Sequence, residues 1–202
     1  MKNSILALLA VAAIVACKKN ETTAVDQSAD SSAMVAPADS TMNVNDSATV
    51  TDAGTANSLS DQDKKFADAA AKGGMMEVMM GELAASNGNN TAVKALGSMM
   101  VKDHGKANDE LKKWASAAGY TLPAGLDAEK QKEYDDLKAK KGAEFDRAYT
   151  DLMVKDHQKD IAEFKKQANE GTEASLKSFA SKTLPTLEHH LMESEKAKSA
   201  VK

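Results

Sequence analysis

The sequence of 202 residues is poor in the residues that define many protein classes: it has one cysteine, three prolines and one tryptophan, and only 4% of it is aromatic. With Cys17 as the single cysteine, an internal disulfide is excluded. Alternating runs of β-branched residues are nearly absent after Leu59, where Ala, Lys, Glu, Leu and Met are abundant. This composition predicts an all-α domain.

A strong charge of one sign is also lacking. The formal net charge is −4, and removal of residues 1–16, which contain one lysine and no acidic residue, changes it from −4 to −5. A mildly acidic domain without basic clusters argues against nucleic-acid binding. The sequence also lacks a Ser–His–Asp or Cys–His arrangement on a suitable loop, a phosphate-binding glycine loop and a cofactor fingerprint. These absences favour a protein that is not an enzyme.

The N-terminus has the features of a lipoprotein signal peptide. Lys2 supplies a positive charge, and the apolar run over residues 5–15 is too short to span a bilayer. The run ends in Ile14-Val15-Ala16-Cys17, the pattern of a lipobox. We therefore expect residues 1–16 to be removed and Cys17 to be acylated, which anchors the chain in membrane lipid. The alternative is an ordinary signal peptide with an accidental cysteine.

The stretch that follows is depleted in large apolar residues. From Asn20 to Ser58 there is no Leu, Ile, Phe, Tyr or Trp. Such a segment buries too little apolar surface to offset the entropy lost on ordering. We predict that residues 17–58 are the lipidated cysteine and a disordered tether, although packing of this segment on the domain is the alternative. The protein is then expected in the cell envelope, and Lys18 favours the outer membrane, facing the periplasm or the exterior, by analogy with known lipoproteins.

Residues 59–202 show helical periodicity with capping residues and short turns. Four long antiparallel helices in about 140 residues are typical of a four-helix bundle. Pro185 falls within the last of them and predicts either a kink or the start of a new helix. The predicted helices, including one short helix in a connection, cover residues 60–86, 91–118, 128–140, 143–169 and 172–200.

Each of the four long helices directs one ionisable residue inwards when its residues are placed at 100° intervals. These residues are Glu77, His104, His157 and His190, whereas His189 faces solvent. Their distances from the two tight turns place them at similar heights in the bundle. Unpaired burial of such groups costs several kcal/mol, so we expect the four side chains to meet one another or a ligand.

A carboxylate and three imidazoles in one layer are suitable ligands for a transition metal such as zinc, copper or iron. Met80, Met100 and Met153 share these helix faces, and thioether ligands would favour copper(I). Alternatively, the layer is a metal-free network of hydrogen bonds that fixes the helix register. The methionine stripe taken alone indicates core packing.

A five-residue repeat occurs on two of the predicted helices: MVKDH at residues 100–104 and again at residues 153–157. It records either the duplication of a helix pair or the same local requirement met twice. Asp103 and Asp156 precede the inward histidines and are expected to cap, to pair with lysine or to face solvent. Asp156 lies close enough to the apolar stripe that an inward orientation is the alternative.

Motifs spread over all four long helices resemble the domain of unknown function 4142 family. They are Phe66, residues 70–74, Glu77-Val78, residues 100–104, Ala107-Asn108, Phe145-Asp146, Tyr149, His157, residues 184–187 and His190-Leu191. The resemblance covers about residues 61–197. It implies an exported or outer-membrane bacterial protein of the ferritin-like superfamily, and hence a ferritin-like four-helix bundle.

Ferritin chemistry is not expected from these residues. A ferritin-like di-iron site requires Glu-x-x-His on each of two helices. Here Val101, Val154 and Leu187 stand three residues before the inward histidines. Three functions remain: a cell-envelope lipoprotein that binds a transition metal through the Glu/His cluster, a structural or protein-interaction module with a metal-free polar layer, and a mononuclear-metal oxidoreductase.

Overall fold

The computed structural model describes residues 59–202, so Cys17, the signal peptide and the predicted tether lie outside the described residues. All regular secondary structure in this part of the chain is α-helical, and it contains no strand. The observed ends differ from the predicted ends by at most two residues. The helices are α1 (Asp61–Asn87), α2 (Thr91–Ala118), α3 (Ala128–Lys138), α4 (Gly142–Glu170) and α5 (Ala174–Ala200).

The four long helices form a bundle of two antiparallel hairpins. Three-residue turns join α1 to α2 and α4 to α5, and these are the two most extensive helix pairs. The hairpins meet through α1 against α4 and α2 against α5, while the short α3 in the long connection contacts α1 and α4. Side-chain caps begin several helices, for example Asn90 Oδ1, which accepts from Ala92 N at 2.8 Å. Gly119 ends α2 in the left-handed conformation, with φ of 63°.

Pro185 lies inside one uninterrupted helix, α5. The alternative that a new helix starts at this proline is therefore wrong. Proline in a helix interior costs about 3 kcal/mol because it lacks an N–H. Leu176 and Ala180 before it, and Leu187 and His190 after it, are all buried. Packing on both sides of Pro185 thus holds the helix together against its local preference.

The interior contains two hydrophobic clusters with a polar layer between them. The first cluster includes Met80, Met100 and Met153 and lies nearer the α1–α2 turn. The second is built around Phe66 and Phe164, whose rings meet edge to face with centroids 4.9 Å apart. On α2, α4 and α5 the histidine of the predicted layer falls between members of the two clusters, and on α1 Glu77 directly follows Met76 of the first cluster.

Two buried aspartates tie each hairpin to the turn of the other. Asp146, near the start of α4, accepts from Asn89 N at 2.9 Å and from Asn90 N at 2.8 Å. Asp63, near the start of α1, accepts from Gln167 Nε2 at 2.6 Å and from Thr172 N at 3.2 Å. These contacts fix the relative height of the hairpins, and thereby the height at which the inward polar residues meet.

The MVKDH repeat lies on α2 and α4, which are not equivalent helices of the two hairpins. Exchange of the hairpins relates α1 to α4 and α2 to α5, so duplication of a helix pair would not place the repeat here. Met100 and Met153 are both fully buried, and the histidine four residues later is buried in both cases. The arrangement favours one local requirement met twice: an apolar residue and an imidazole on successive turns of the same face.

None of the helices in residues 59–202 combines the length and the apolar character needed to cross a bilayer.

Candidate metal centre

The structure brings the four inward residues into one buried layer. Glu77 on α1 is 2% exposed, His104 on α2 is 6% exposed, and His157 on α4 and His190 on α5 are completely buried. The three imidazole rings form a triangle with centroid separations of 5.5 Å, 5.1 Å and 5.2 Å. His189 is exposed and stands outside this group of three.

One nitrogen of each ring faces a neighbouring oxygen. His104 Nδ1 lies 2.8 Å from Glu77 Oε2, and His157 Nδ1 lies 2.8 Å from the carbonyl oxygen of Met153. His190 Nε2 lies 3.2 Å from Asp103 Oδ2. Histidines that ligate metals are held in this way, because an oxygen at the far nitrogen fixes the tautomer and the ring orientation.

The other nitrogen of each ring then remains for a further partner. His157 Nε2 and His190 Nδ1 are 3.2 Å apart, and one ligand nitrogen from each of the three histidines lies within 4.8 Å of the others. Tetrahedral ligands at a metal–nitrogen distance of about 2.0–2.1 Å are separated by about 3.3 Å. The His157–His190 pair is therefore already at ligand spacing, while His104 would have to approach by about 1–1.5 Å to join it.

His104 Nε2 is buried, and none of residues 59–202 offers it a hydrogen bond. A buried polar nitrogen without a partner costs about 1–3 kcal/mol. Because the opposite nitrogen of the same ring contacts Glu77, rotation of the ring would only exchange one orphaned nitrogen for the other. The position is thus suited to a ligand that all three rings share.

Glu77 lies between two of the imidazoles, with Oε2 at 2.8 Å from His104 Nδ1 and Oε1 at 3.4 Å from His157 Nδ1. These are ion-pair distances, but among the described residues neither oxygen accepts a well-directed hydrogen bond. Burial alone would raise the pKa of Glu77, yet the imidazoles of His104 and then His157 lower that pKa to about 2. The layer therefore contains a carboxylate anion at neutral pH.

Two of the histidines are held in the neutral form that ligates metals. Burial lowers the pKa of His190 to about 4, and the neighbouring His104 adds to the effect. Burial also lowers the pKa of His157, although the charge of Glu77 acts in the opposite direction. Since protonated imidazole cannot bind a metal, both rings are ready for ligation at neutral pH without losing a proton.

Asp103 was expected to cap, to pair with lysine or to face solvent, but it is half-buried and contacts His190 on α5. A helical wheel of α2 alone carries no information on this contact between helices. Asp156 is also half-buried, and burial followed by the charge of Glu77 raises its pKa to about 6. The same two causes raise the pKa of Asp160, one turn further along α4. The inward alternative considered for Asp156 agrees with this placement.

The three methionines that share the inward helix faces belong to the core. Met80, Met100 and Met153 are completely buried and pack within the first hydrophobic cluster. This placement agrees with the core-packing interpretation of the methionine stripe.

Comparison with known proteins places this bundle in a family. The sequence profile of the domain of unknown function DUF4142 matches residues 48–197, which is more than half of the chain. The chain therefore belongs to this family, as its motifs indicated. No curated protein is significantly similar in sequence.

Among solved structures, the bundle is similar to the crystal structure of a DUF305 fragment from Deinococcus radiodurans. The TM-score is 0.62 at 11% sequence identity, and the match covers 70% of this chain and 98% of the other. At this identity the similarity extends to the fold alone, which here is a helical bundle.

Proposed function

We propose that this member of the DUF4142 family is a cell-envelope lipoprotein whose helical bundle binds one transition-metal ion through His104, His157 and His190. The observation that carries the proposal is that the two nitrogens of each imidazole have different surroundings. One nitrogen faces a carboxylate or carbonyl oxygen, and the other is left for the shared centre. Three rings from three different helices repeat this arrangement in one layer.

The chemistry of the layer favours a divalent ion of intermediate softness. Neutral imidazole suits zinc, copper and iron, and the donor set contains no thiolate. The negative charge of Glu77 beside two of the rings would offset part of the positive charge of the ion. In this proposal Glu77 acts by holding His104 Nδ1, since its oxygen contacts the nitrogen that faces away from the shared centre.

A metal-free polar layer is the second candidate, and one contact favours it. His157 Nε2 and His190 Nδ1 lie 3.2 Å apart and can share a hydrogen bond without any ion once one of them carries a proton. In neutral rings that proton comes at the cost of the N–H that one of the histidines donates to Met153 O or Asp103. That pairing leaves His104 Nε2 buried without a partner among the described residues. The metal interpretation accounts for all three inward nitrogens, whereas the polar layer accounts for two.

The test is metal uptake by protein purified without chelator and by protein that has been stripped and titrated with Zn²⁺ or Cu²⁺. We expect about one ion per chain, loss of binding in His157→Ala and His104→Ala, and full binding in His189→Ala, the matched control on the exposed side of α5. His104→Ala should leave the metal-free protein folded. If His104→Ala unfolds the metal-free protein and the wild type takes up no ion, the layer is a metal-free hydrogen-bond network that stabilises the fold.

Attachment to the envelope rests on the lipobox that ends at Cys17. Cys17→Ala should release the protein from membranes or leave its precursor uncleaved. Fractionation of the bacterial envelope with and without detergent measures this. A Cys17→Ala protein that still needs detergent at its mature size would contradict lipid anchoring.

A further inference from the structure

The buried layer is enclosed, so an ion has to reach it from one side of the bundle. The side chains of Glu77 and His104 are 3% and 8% exposed, and those of His157 and His190 are 0% and 1% exposed. Among the described side chains that make polar contacts with this layer, that of Asp103 is the most exposed, at 27%. Asp103 is therefore the place where the polar contacts of the layer reach solvent.

Asp103 lines an open groove between α2 and α5 with a volume of about 290 Å³. A water molecule takes up about 30 Å³ in the liquid, so the groove has room for an ion with about six waters around it. Lys106 and Glu110 line the α2 wall with Nζ and Oε1 4.0 Å apart, and Lys182 lies on the α5 wall. No lysine of residues 59–202 lies within ion-pair distance of Asp103. Its carboxylate thus remains available to a cation in the groove.

Asp103 and Asp156 hold the same position in the two copies of the MVKDH sequence, but their surroundings differ. Asp156 is on α4, against which α3 packs. Glu133 Oε1 of α3 lies 3.5 Å from Nζ of Lys155, the residue before Asp156. The Asp156 side of the layer is therefore covered by a helix, whereas Asp103 stands in the α2–α5 groove.

One imidazole connects the groove to the proposed ligands. Asp103 Oδ2 lies 3.2 Å from His190 Nε2, and His190 Nδ1 on the other side of that ring lies 3.2 Å from His157 Nε2. A metal ion moves through a protein by exchange of ligands, in which each new donor replaces a water or an earlier donor. Carboxylate oxygen suits an ion that still carries water, and imidazole suits the transition metals proposed for the centre.

We infer that divalent ions enter and leave the centre through the α2–α5 groove, that Asp103 is the first protein ligand of the incoming aquated ion, and that His190 is the second. This inference rests on the proposed function. It gives Asp103 a role in the rate of metal exchange that is separate from its hydrogen bond with His190. A group that lowers the barrier on a shared route accelerates entry and exit equally, and this equality distinguishes a route from a contact that only orients a ligand.

The experiment measures both rates with Co²⁺ as the probe. Stopped-flow absorption follows Co²⁺ binding to the metal-stripped protein, because its visible bands change when imidazole replaces water. Transfer of the loaded protein into excess EDTA measures release. In Asp103→Asn both rates should fall about tenfold, the low end of the effect that charged clefts have on association. The affinity should change by less than about threefold, because the amide oxygen still accepts from His190 Nε2–H.

Asp156→Asn is the matched control, because it removes the same charge at the same position of the repeat on the side that α3 covers. Both of its rates should stay within about twofold of the wild type, since the charge that it removes lies outside the groove. Equal slowing in the two variants would mean that the total charge near the layer, and not the α2–α5 groove, controls exchange.

The remaining outcomes separate this inference from the proposed function. If the wild type binds none of Co²⁺, Zn²⁺ and Cu²⁺, the proposed function fails and the entry route fails with it. If Asp103→Asn binds Co²⁺ as fast as the wild type, or loses affinity through faster release, Asp103 only orients His190, and the route is overturned while metal binding stands. Should Asp103→Asn fail to fold, Thr186→Phe narrows the same groove from α5 and should slow both rates in the same way.

Discussion

Asp63 and Glu77 are two buried carboxylates on the same helix, and they are held in opposite ways. Asp63 is completely buried and accepts hydrogen bonds from Ser60, Gln167 and Thr172, so its oxygens are well supplied with donors. Glu77 is 2% exposed, faces imidazoles and accepts no well-directed hydrogen bond within residues 59–202. The hydrogen bonds that Asp63 accepts stabilise the fold. The oxygens of Glu77 can still accept hydrogen bonds that no described residue donates.

The pKa values of the two carboxyls are lowered for different reasons. Burial would raise the pKa of Asp63, but hydrogen bonds from Ser60, Thr172 and Gln167 bring it far below its usual range. Burial would also raise the pKa of Glu77, and there the opposing effect comes chiefly from the imidazoles of His104 and His157. Neutral donors stabilise Asp63 at any pH, whereas the partners of Glu77 can themselves titrate. Only the second carboxylate belongs to a set that responds to a metal or to protons.

The largest effect is expected when the fully bonded carboxylate is removed. Asp63→Ala leaves the Gln167 amide and the Thr172 N–H without their acceptor, and each buried unsatisfied group costs about 1–3 kcal/mol. We expect the free energy of unfolding to fall by about 3 kcal/mol, measured by urea denaturation of the metal-free protein. Metal affinity should stay unchanged once the protein is folded.

The matched control is Asp61→Ala, an exposed aspartate in the same helical turn, which should change stability by less than about 0.5 kcal/mol. A loss below about 1 kcal/mol in Asp63→Ala would mean that the contacts between the hairpins contribute little, and the contrast with Glu77 would disappear.

The complementary substitution, Glu77→Gln, should act on binding rather than on folding. The amide keeps the shape of the side chain but removes the charge that holds His104 Nδ1. Loss of a group that orients a metal ligand typically weakens metal affinity by about 10–100-fold. The stability of the metal-free protein should change by less than about 1 kcal/mol, because no well-directed hydrogen bond is lost.

Isothermal titration with Zn²⁺ measures the affinity of Glu77→Gln, and Glu82→Gln on the exposed side of α1 is the control. A Glu77→Gln protein that binds metal normally but unfolds easily would show that Glu77 serves the fold in the same way as Asp63.

The sequence predicts features that depend on neighbouring residues better than it predicts contacts between separate helices. Helix ends follow local signals, such as Asn90 at the start of α2 and Gly119 at its end, and these predictions hold within two residues. The inward orientation of His104 and His157 also follows from the helical period and from heights counted from tight turns. Both depend only on neighbouring residues and on the regular geometry of a helix.

Contacts between hairpins were not predictable in this way. The hydrogen bond that His190 donates to Asp103 depends on the rotation of α2 relative to α5, and the bond that Thr172 donates to Asp63 depends on the position of the α4–α5 turn. The nitrogen that each ring turns inward depends on a side-chain torsion that no periodicity encodes. Pro185 also could not be placed from local signals, because tertiary packing of α5 overrides the preference of proline to break a helix.

A pH titration should resolve the two kinds of buried group in the metal-free protein. The pKa of His190 is lowered to about 4 by burial, so below its ordinary value of 6.5 the unfolded chain binds a proton that the folded chain does not. His190 by itself should therefore lower stability by about 2 kcal/mol as the pH drops from about 6.5 towards 4, while the raised pKa values of Asp156 and Asp160 act in the opposite direction in the same window. The lowered pKa of Asp63 has its effect only at more acidic pH, below the ordinary value of 3.8.

Urea denaturation of the wild type and of His190→Gln at a series of pH values isolates the histidine, because Asp156 and Asp160 are present in both proteins. The stability of the wild type relative to His190→Gln should fall between pH 6.5 and 4. A difference that stays constant between pH 7 and 4.5 would mean that His190 takes up a proton as readily in the folded chain as in the unfolded chain.

The smallest effect is expected at Asp103, a third carboxylate, which is more exposed than the other two. Its Oδ2 lies 3.2 Å from His190 Nε2, but 27% of its side chain is exposed, so water can take over the contact. Asp103→Ala should weaken Zn²⁺ binding by about threefold to tenfold, below the usual range of about 10–100-fold for a group that orients a ligand, because water can replace the exposed carboxylate. Asp103→Asn, whose amide oxygen can still accept from Nε2–H, should recover most of the loss. Asp109→Ala on the same helix is the exposed control and should bind as the wild type does. Equal losses in Asp103→Ala and Glu77→Gln would show that burial does not set the influence of a carboxylate on this site.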